Sequence, residues 1–279
     1  SDAAIVVIGR SSGEDRETKL SDGSWYLTKD ERALLTQVRR EFKKVIVLIN
    51  GGNYMDYRWL EEYKVDAALL VWQGGQESGG AIADVVMGIS YPSGHLADTV
   101  AKTYDDQPSK AEFGLKATHY VEDIFVGYRY FETIPGAAEK VCYPFGYGLS
   151  YTSFDMTGTV CRKDESEFTV SVQITNTGKL AGKQVAQVYV QPPQGKLGKP
   201  RWVLAGFAKT CLLQPGQSEA LEIMIPLERL ASYDDIGAVL RSAWVIEQGA
   251  YRFFIGDNVK DAKQADFIWQ QEKDAVLQL

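Results

Sequence analysis

A serine, a short run of carboxylates and two histidines are the residues of this sequence whose type and spacing suit chemistry. Gly9-Arg10-Ser11-Ser12-Gly13 fits GxSxG directly after an apolar run, the pattern that presents a nucleophilic serine on a sharp strand-to-helix turn. That chemistry also needs an earlier strand and loop to donate an oxyanion amide, whereas here at most one residue pair precedes the apolar run, and it needs a histidine base later in the chain. His95 and His119 are the two candidates, with Asp66 and Asp84 as nominal acids, and both histidines read more simply as surface or loop residues. Glu14 follows on the same loop, beside Asp15, Arg16 and Glu17. A carboxyl group at the end of a strand serves as general acid or base when its surroundings bring its pKa near the working pH. The plain alternative is a solvated, charged loop. Glu77, at a helix amino terminus, reads as a complement to the helix dipole.

Other chemistries find less support. There is no HExxH and no Cys/His ligand set, and Asp105–Asp106 is an acidic pair in a loop rather than a calcium loop. Gly146-Tyr147-Gly148 lacks the third glycine of a dinucleotide fingerprint. Neither a metal nor a cofactor is expected. Cys142, Cys161 and Cys211 are odd in number and without a CxxC spacing, which predicts buried thiols rather than disulfides or zinc ligands.

The elements that must position these residues fall into two kinds. In the first half, Ala3–Ile8, Val45–Ile49 and Asp66–Trp72 are continuous apolar runs, the pattern of strands covered on both faces. Between the first two, Thr28 and Glu31 form a capping box, and Leu34, Leu35, Val38 and Phe42 recur at helical spacing. Residues 56–63 read as a short helix, and Gly74–Gly75 lead into a helix through Ala81, Ile82, Val85 and Val86 that stops at Gly88. Strands alternating with helices predict a mostly parallel α/β/α sheet domain, with its site at the carboxyl ends of the strands. Three loops leave those ends: Gly9–Leu27, Asn50–Tyr54 and Gln73–Ser78.

From about Asp155 the period becomes that of strands alone. Phe168, Val170, Val172 and Ile174 alternate with Thr169, Ser171, Gln173 and Thr175, so one face is buried. Val185–Val190, Trp202–Phe207, Ala220–Ile225, Ala243–Ile246 and Tyr251–Ile255 follow, separated by turns at Asn176–Gly178 and Pro215–Gly216. The reading is α/β plus all-β: residues 1–154 as the sheet domain and 155–279 as a β-sandwich of about seven strands. Length (279 residues), 45% apolar content and 24% charge are those of a globular protein with a real core. A net charge of −7 with no basic run argues against nucleic acid and anionic membrane as partners. No apolar run approaches the roughly 20 residues of a membrane span. Without a secretion leader in the sequence given, the expected location is cytoplasmic.

Longer motifs sharpen this reading. Ile8-Gly9-Arg10-Ser11-Ser12-Gly13-Glu14-Asp15-Arg16, Trp72-Gln73-Gly74-Gly75-Gln76-Glu77-Ser78-Gly79, Glu122 to Glu132 and Tyr143-Pro144-Phe145-Gly146-Tyr147-Gly148-Leu149-Ser150-Tyr151 occur in order. The series resembles the carboxyl-terminal half of glycoside hydrolase family 3, which includes many β-glucosidases. Tyr91-Pro92-Ser93-Gly94-His95-Leu96 belongs to it too, with His95 where the family usually has Arg or Lys. The second half is similar to the family's fibronectin type III-like module.

The resemblance implies a retaining glycosidase acting on β-linked glucosides or oligosaccharides. Its site would be shared between this α/β domain and a (β/α)8 barrel that carries the nucleophilic aspartate. The acid/base role falls on Glu14, from the match of Ser12-Gly13-Glu14 and Asp15-Arg16 to the family's loop. Because Asp-Arg follows Glu14 at once, a register in which Glu17 serves stays open. The chain is therefore expected to be the barrel-less portion of a larger enzyme, with the barrel before or after it. The competing reading is a non-catalytic carbohydrate-binding or regulatory module of the same fold, with Trp25, Tyr26 or Trp72 stacking on sugars.

Overall fold

The three apolar runs of the first half form a parallel sheet in the order β1-β2-β3, with β1 at Ala3–Gly9, β2 at Lys44–Asn50 and β3 at Ala67–Leu70. In this computed structural model, the described residues are 1–11, 18–112, 115–117 and 119–277. The chain divides into two compact units, Ser1–Ser90 with Val100–Val121, and Tyr91–Thr99 with Glu122–Leu279.

In the first unit, α1 (Lys29–Glu41) joins β1 to β2 and packs on both. The expected capping box is present: the Glu31 amide donates to Thr28 Oγ1 at 3.1 Å and the Thr28 amide donates to Glu31 Oε2 at 2.7 Å. Asp30 and Glu31 in the first turn and Arg39 and Arg40 in the last complement the helix dipole. Val6, Ile8, Val45, Val47, Ile49 and Leu35 are buried. On the opposite face of β1, Ile5 and Val7 are 51% and 59% exposed. The chain then forms α2 (Trp59–Glu62), α3 (Ser78–Val86) and the short β4 (Val100–Ala101). The third strand is shorter than the apolar run that announced it, because Trp72 turns to a positive φ of 54° and ends the extended course.

The second unit contains α4 (Tyr128–Thr133), β5 (Val141–Tyr143) and two short 3-10 turns, and its other described elements are strands. Antiparallel sheet β10-β7-β6 is built from Ser218–Pro226, Glu167–Asn176 and Phe154–Arg162. A second sheet, β14-β13-β8-β9, is built from Lys263–Gln271, Gly249–Gly256, Val185–Gln191 and Val203–Lys209. These seven strands form a sandwich of the expected size: five are the expected strands, β6 and β14 are additional, and the expected strand Ala243–Ile246 falls outside it. A third small sheet is β11 (Ser232–Asp234), β12 (Ala243–Ile246) and β15 (Ala275–Leu277). Phe168, Val170, Val172 and Ile174 are fully buried, and the Phe168 ring meets Phe253 and Trp269, each at 5.2 Å. At the expected Asn176–Gly178 turn the buried Asn176 side chain is fully used. It donates to Leu180 O (2.8 Å) and Leu213 O (2.9 Å) and accepts from Thr152 Oγ1 (2.8 Å) and the Gly178 amide (3.0 Å).

Candidate active site

The loops at the carboxyl ends of β1 and β2 meet at Arg10. Its amide extends the β1–β2 ladder by donating to Asn50 O at 2.8 Å. Its guanidinium, 8% exposed, makes two hydrogen bonds to the Glu31 carboxylate, at 2.6 and 2.8 Å. The same group donates to Gly9 O (2.8 Å), Ser24 O (3.3 Å) and Tyr26 O (3.3 Å). One side chain thus fixes the point where the chain leaves β1 and the stretch by which it returns to α1. Burial pushes the Glu31 carboxyl up, but the Arg10 hydrogen bonds, the Thr28 amide and the Arg10 charge outweigh it and hold the group below its ordinary range. Glu14 and Glu17, the acid/base candidates, lie outside the described residues.

The second loop comes up against this clamp. A Cβ on Gly51 would stand 3.0 Å from the Arg10 Cβ, so a glycine lets the turn after β2 pass the arginine. Asn53 Nδ2 donates to Thr18 Oγ1 at 3.3 Å, and the Asp56 amide donates to Trp25 O at 2.9 Å. Asp56 is buried and consumed: Oδ1 accepts from Arg58 Nε (2.9 Å) and from the Arg58 amide (3.0 Å), and Oδ2 accepts from the guanidinium (2.7 Å). Burial again pushes upward and is outweighed by Arg58, leaving the carboxyl below its ordinary range. An open groove of about 550 Å³ passes Tyr26, Asp56, Arg58, Trp59 and Tyr63. Its buried acid is tied to arginine, and Glu61 and Glu62 are the other carboxylates of its lining.

In the third loop, Trp72 is 38% exposed at a φ of 54°, a conformation costly for a bulky residue. Its ring meets Tyr54 edge to face at 5.6 Å. Gly74 is required by packing, since a Cβ there would lie 2.3 Å from Ser78 Cβ. Glu77 takes the N-cap position of α3 without a side-chain capping bond, so it acts on the helix by charge alone.

Several expected placements change. Trp25 is 4% exposed and packs edge to face on Tyr104 at 5.5 Å, which makes it core rather than a sugar platform. Asp66, the nominal acid of the serine-hydrolase reading, accepts from Arg39 and from the Val45 amide, both at 2.8 Å, and tethers α1 to the start of β2. His119 pairs with Glu112 at 2.9 Å and is exposed, as expected of a surface histidine. His95 lies in a loop, as expected, and is half-buried. Its Nδ1 meets Gly146 O at 2.5 Å and its Nε2 meets Gln184 Oε1 at 3.0 Å, so neither nitrogen is open to take a proton from Ser11. Cys161 and Cys211 are exposed and Cys142 half-buried, against the expectation of buried thiols. Cys161 lies on the outward phase of β6.

Residues 1–151 match the glycosyl hydrolase family 3 C-terminal domain. The chain belongs to glycoside hydrolase family 3. Residues 184–259 match a fibronectin type III-like domain. Beta-glucosidase A of Butyrivibrio fibrisolvens is 41% identical over 99% of this chain, and a beta-glucosidase of Ruminococcus albus is 43% identical over 95%. The matched stretches are 38% and 28% of those proteins, so this family 3 chain spans well under half of their length. Among solved structures, a beta-glucosidase from Paenibacillus barengoltzii superposes with a TM-score of 0.95 at 43% identity, over all of this chain and 31% of its own. Beta-glucosidase 3B from Thermotoga neapolitana, solved with α-D-glucose, gives 0.90 at 39% identity, over all of this chain and 39% of its own.

Sequence reasoning found the loops and the motif but missed Arg10 as a clamp. It had taken Glu31 only as a capping residue, and the two are 21 positions apart. An arginine immediately after a strand, with an acid at the third position of the next helix, is the signal that was available.

Proposed function

We propose that this chain is the α/β and fibronectin type III-like part of a retaining β-glycosidase, foremost a β-glucosidase, acting on terminal β-linked glucosides. Glu14 protonates the leaving oxygen while an aspartate on a (β/α)8 barrel attacks the anomeric carbon. The ionised Glu14 then activates water against the glycosyl-enzyme. The observation that carries this reading is the match of residues 1–151 to the family's C-terminal domain, with Ser11-Ser12-Gly13-Glu14-Asp15-Arg16 directly after Arg10. The Arg10 clamp supports it, because an acid/base group must be held in place to within a fraction of an ångström. Trp72 and Tyr54 form the aromatic surface available for stacking on a sugar ring. The cytoplasmic setting is part of the same proposal.

The test is Glu14→Gln in the complete enzyme. Hydrolysis of glucosides with poor leaving groups is expected to fall by about 10²-fold or more, while activated aryl glucosides lose far less in the glycosylation step. If poor leaving groups are still cleaved at the original rate, Glu14 is not the acid and Glu17 is tested next. Should Glu17→Gln be equally silent while the chain binds glucose alone, the non-catalytic carbohydrate-binding reading replaces this one.

A further inference from the structure

Among the described residues, β1 stands at an edge of its sheet, yet its sequence is that of an interior strand. Ala-Ala-Ile-Val-Val-Ile-Gly carries no charge, no proline and no polar side chain. It matches the Val45–Ile49 run of β2, which has a strand on each side. A continuous apolar run is the pattern of a parallel strand covered on both faces. Strands that remain at an edge are instead kept short or charged, because their open N–H and C=O groups recruit other strands. The far edge of this sheet follows that rule, since β3 has four residues and comes directly after Lys64-Val65-Asp66. With seven uncharged residues, β1 does not.

The register shows which groups are left over. Arg10 donates its amide to Asn50 O and Asp2 O accepts from the Lys44 amide, so Asp2, Arg10 and the even-numbered residues between them turn their main-chain groups to β2. Those of Ile5 and Val7 point to the opposite edge, where no described strand pairs. The side chains of the same two residues lie on the face away from the buried Val6 and Ile8 and are 51% and 59% exposed. Their neighbours across the ladder, Ile46 and Leu48, are half-buried and 7% exposed. Cover on this face therefore reaches β2 and stops short of β1, so the open edge and the open face belong to one strand.

We propose that β1 is an interior strand of the complete enzyme: a strand from the polypeptide beyond these 279 residues pairs in parallel with its free edge, and an element joined to that strand covers Ile5 and Val7. Relatives whose matched stretch is 38% or 28% of their length have the sequence to supply both. A second copy of the chain fits less well. Ordinary two-fold pairing of β1 with its copy is antiparallel, and an antiparallel strand with one solvated face alternates apolar and polar residues, which β1 does not. The inference rests on the greater length of the relatives and not on Glu14, so it stands or falls apart from the glycosidase reading.

Hydrogen exchange read by mass spectrometry on a fragment covering β1 tests it, in the complete enzyme and in the 279-residue chain. In the chain alone, the amides of Ile5 and Val7 should exchange as exposed amides do while those of Val6 and Ile8 are held. In the complete enzyme all four should exchange about 10²-fold or more slowly than exposed amides. Val7→Lys should leave the melting temperature of the chain unchanged, because the side chain is open there, and lower that of the complete enzyme. Fast exchange at Ile5 and Val7 in the complete enzyme would overturn the proposal, as would an equal loss of melting temperature in both forms. Protection that grows in the chain alone with its concentration would give the edge to a second copy and overturn it equally.

Discussion

A guanidinium that serves three carbonyls and both oxygens of one carboxylate makes Arg10 sensitive to the loss of its acid. Replacing Glu31 with Gln leaves a nearly buried cation without a counter-charge, and about 3 kcal/mol of stability is expected to go, toward the lower end for a broken buried pair because Glu31 is 19% exposed. The sign with pH follows from the depressed carboxyl. A group held below its unfolded value of 4.5 stabilises at higher pH, and that contribution is lost as pH falls through the folded value. Denaturation followed by Trp fluorescence should therefore show a constant gap between wild type and Glu31→Gln from neutrality to about pH 5, closing below it. A gap that persists unchanged to about pH 3 would mean that Glu31 acts through packing rather than charge. Trp72 poses a second question at this scale, since its positive φ is strained and its ring half-open. In the complete enzyme, Trp72→Gly relieves the backbone and removes the ring, so the fold should hold while KM for a β-glucoside rises about threefold to tenfold. An unchanged KM would remove Trp72 from the substrate surface.

At the level of elements, legibility followed how cleanly each period was written. The Thr28 capping box and the alternation of Phe168–Thr175 were plain in the sequence and are present in α1 and β7, because local hydrogen bonds and one buried face decide them. Strand β6 escaped notice. Its inward positions run Phe154, Met156, Gly158, Val160, and the glycine breaks the apolar series because Ile255 from β13 fills that space; a Cβ there would stand 2.5 Å from Ile255 Cδ1. Strand β14 escaped for the converse reason, an apolar Ile268, 49% exposed, on its outward phase. The candidate site divides in the same way: Glu14 is proposed from its motif alone, whereas the Arg10–Glu31 clamp exists only once β1 and α1 are folded side by side. The fit of Gly158 to Ile255 is itself testable. Gly158→Val should cost about 1–3 kcal/mol by overpacking, and adding Ile255→Ala should return part of it. Equal, additive losses in a double-mutant cycle would show that the two positions do not share that space.

For the molecule as a whole, the decisive quantity is the number of catalytic carboxylates. Retaining hydrolysis requires two, about 5–5.5 Å apart, and the proposed reading gives this chain one. Relatives whose matched stretch is 38% or 28% of their length have ample sequence for the other. The chain alone is therefore expected to leave nitrophenyl β-glucosides intact. Adding a separately produced family 3 barrel should produce activity that rises with chain concentration and saturates, as binding of two partners does. Free mixing lacks the millimolar effective concentration that a short linker provides, so the rise should be gradual at micromolar protein and steeper if the two parts are joined. The Glu14→Gln chain in the same titration should compete with wild type for the barrel without contributing comparable turnover. That pattern assigns assembly to the surfaces of the two parts and proton transfer to one carboxyl. Turnover by the chain alone would instead place a second catalytic carboxylate within it. A Glu14→Gln chain that matches wild type in the mixture would leave the shared site standing and remove Glu14 from it.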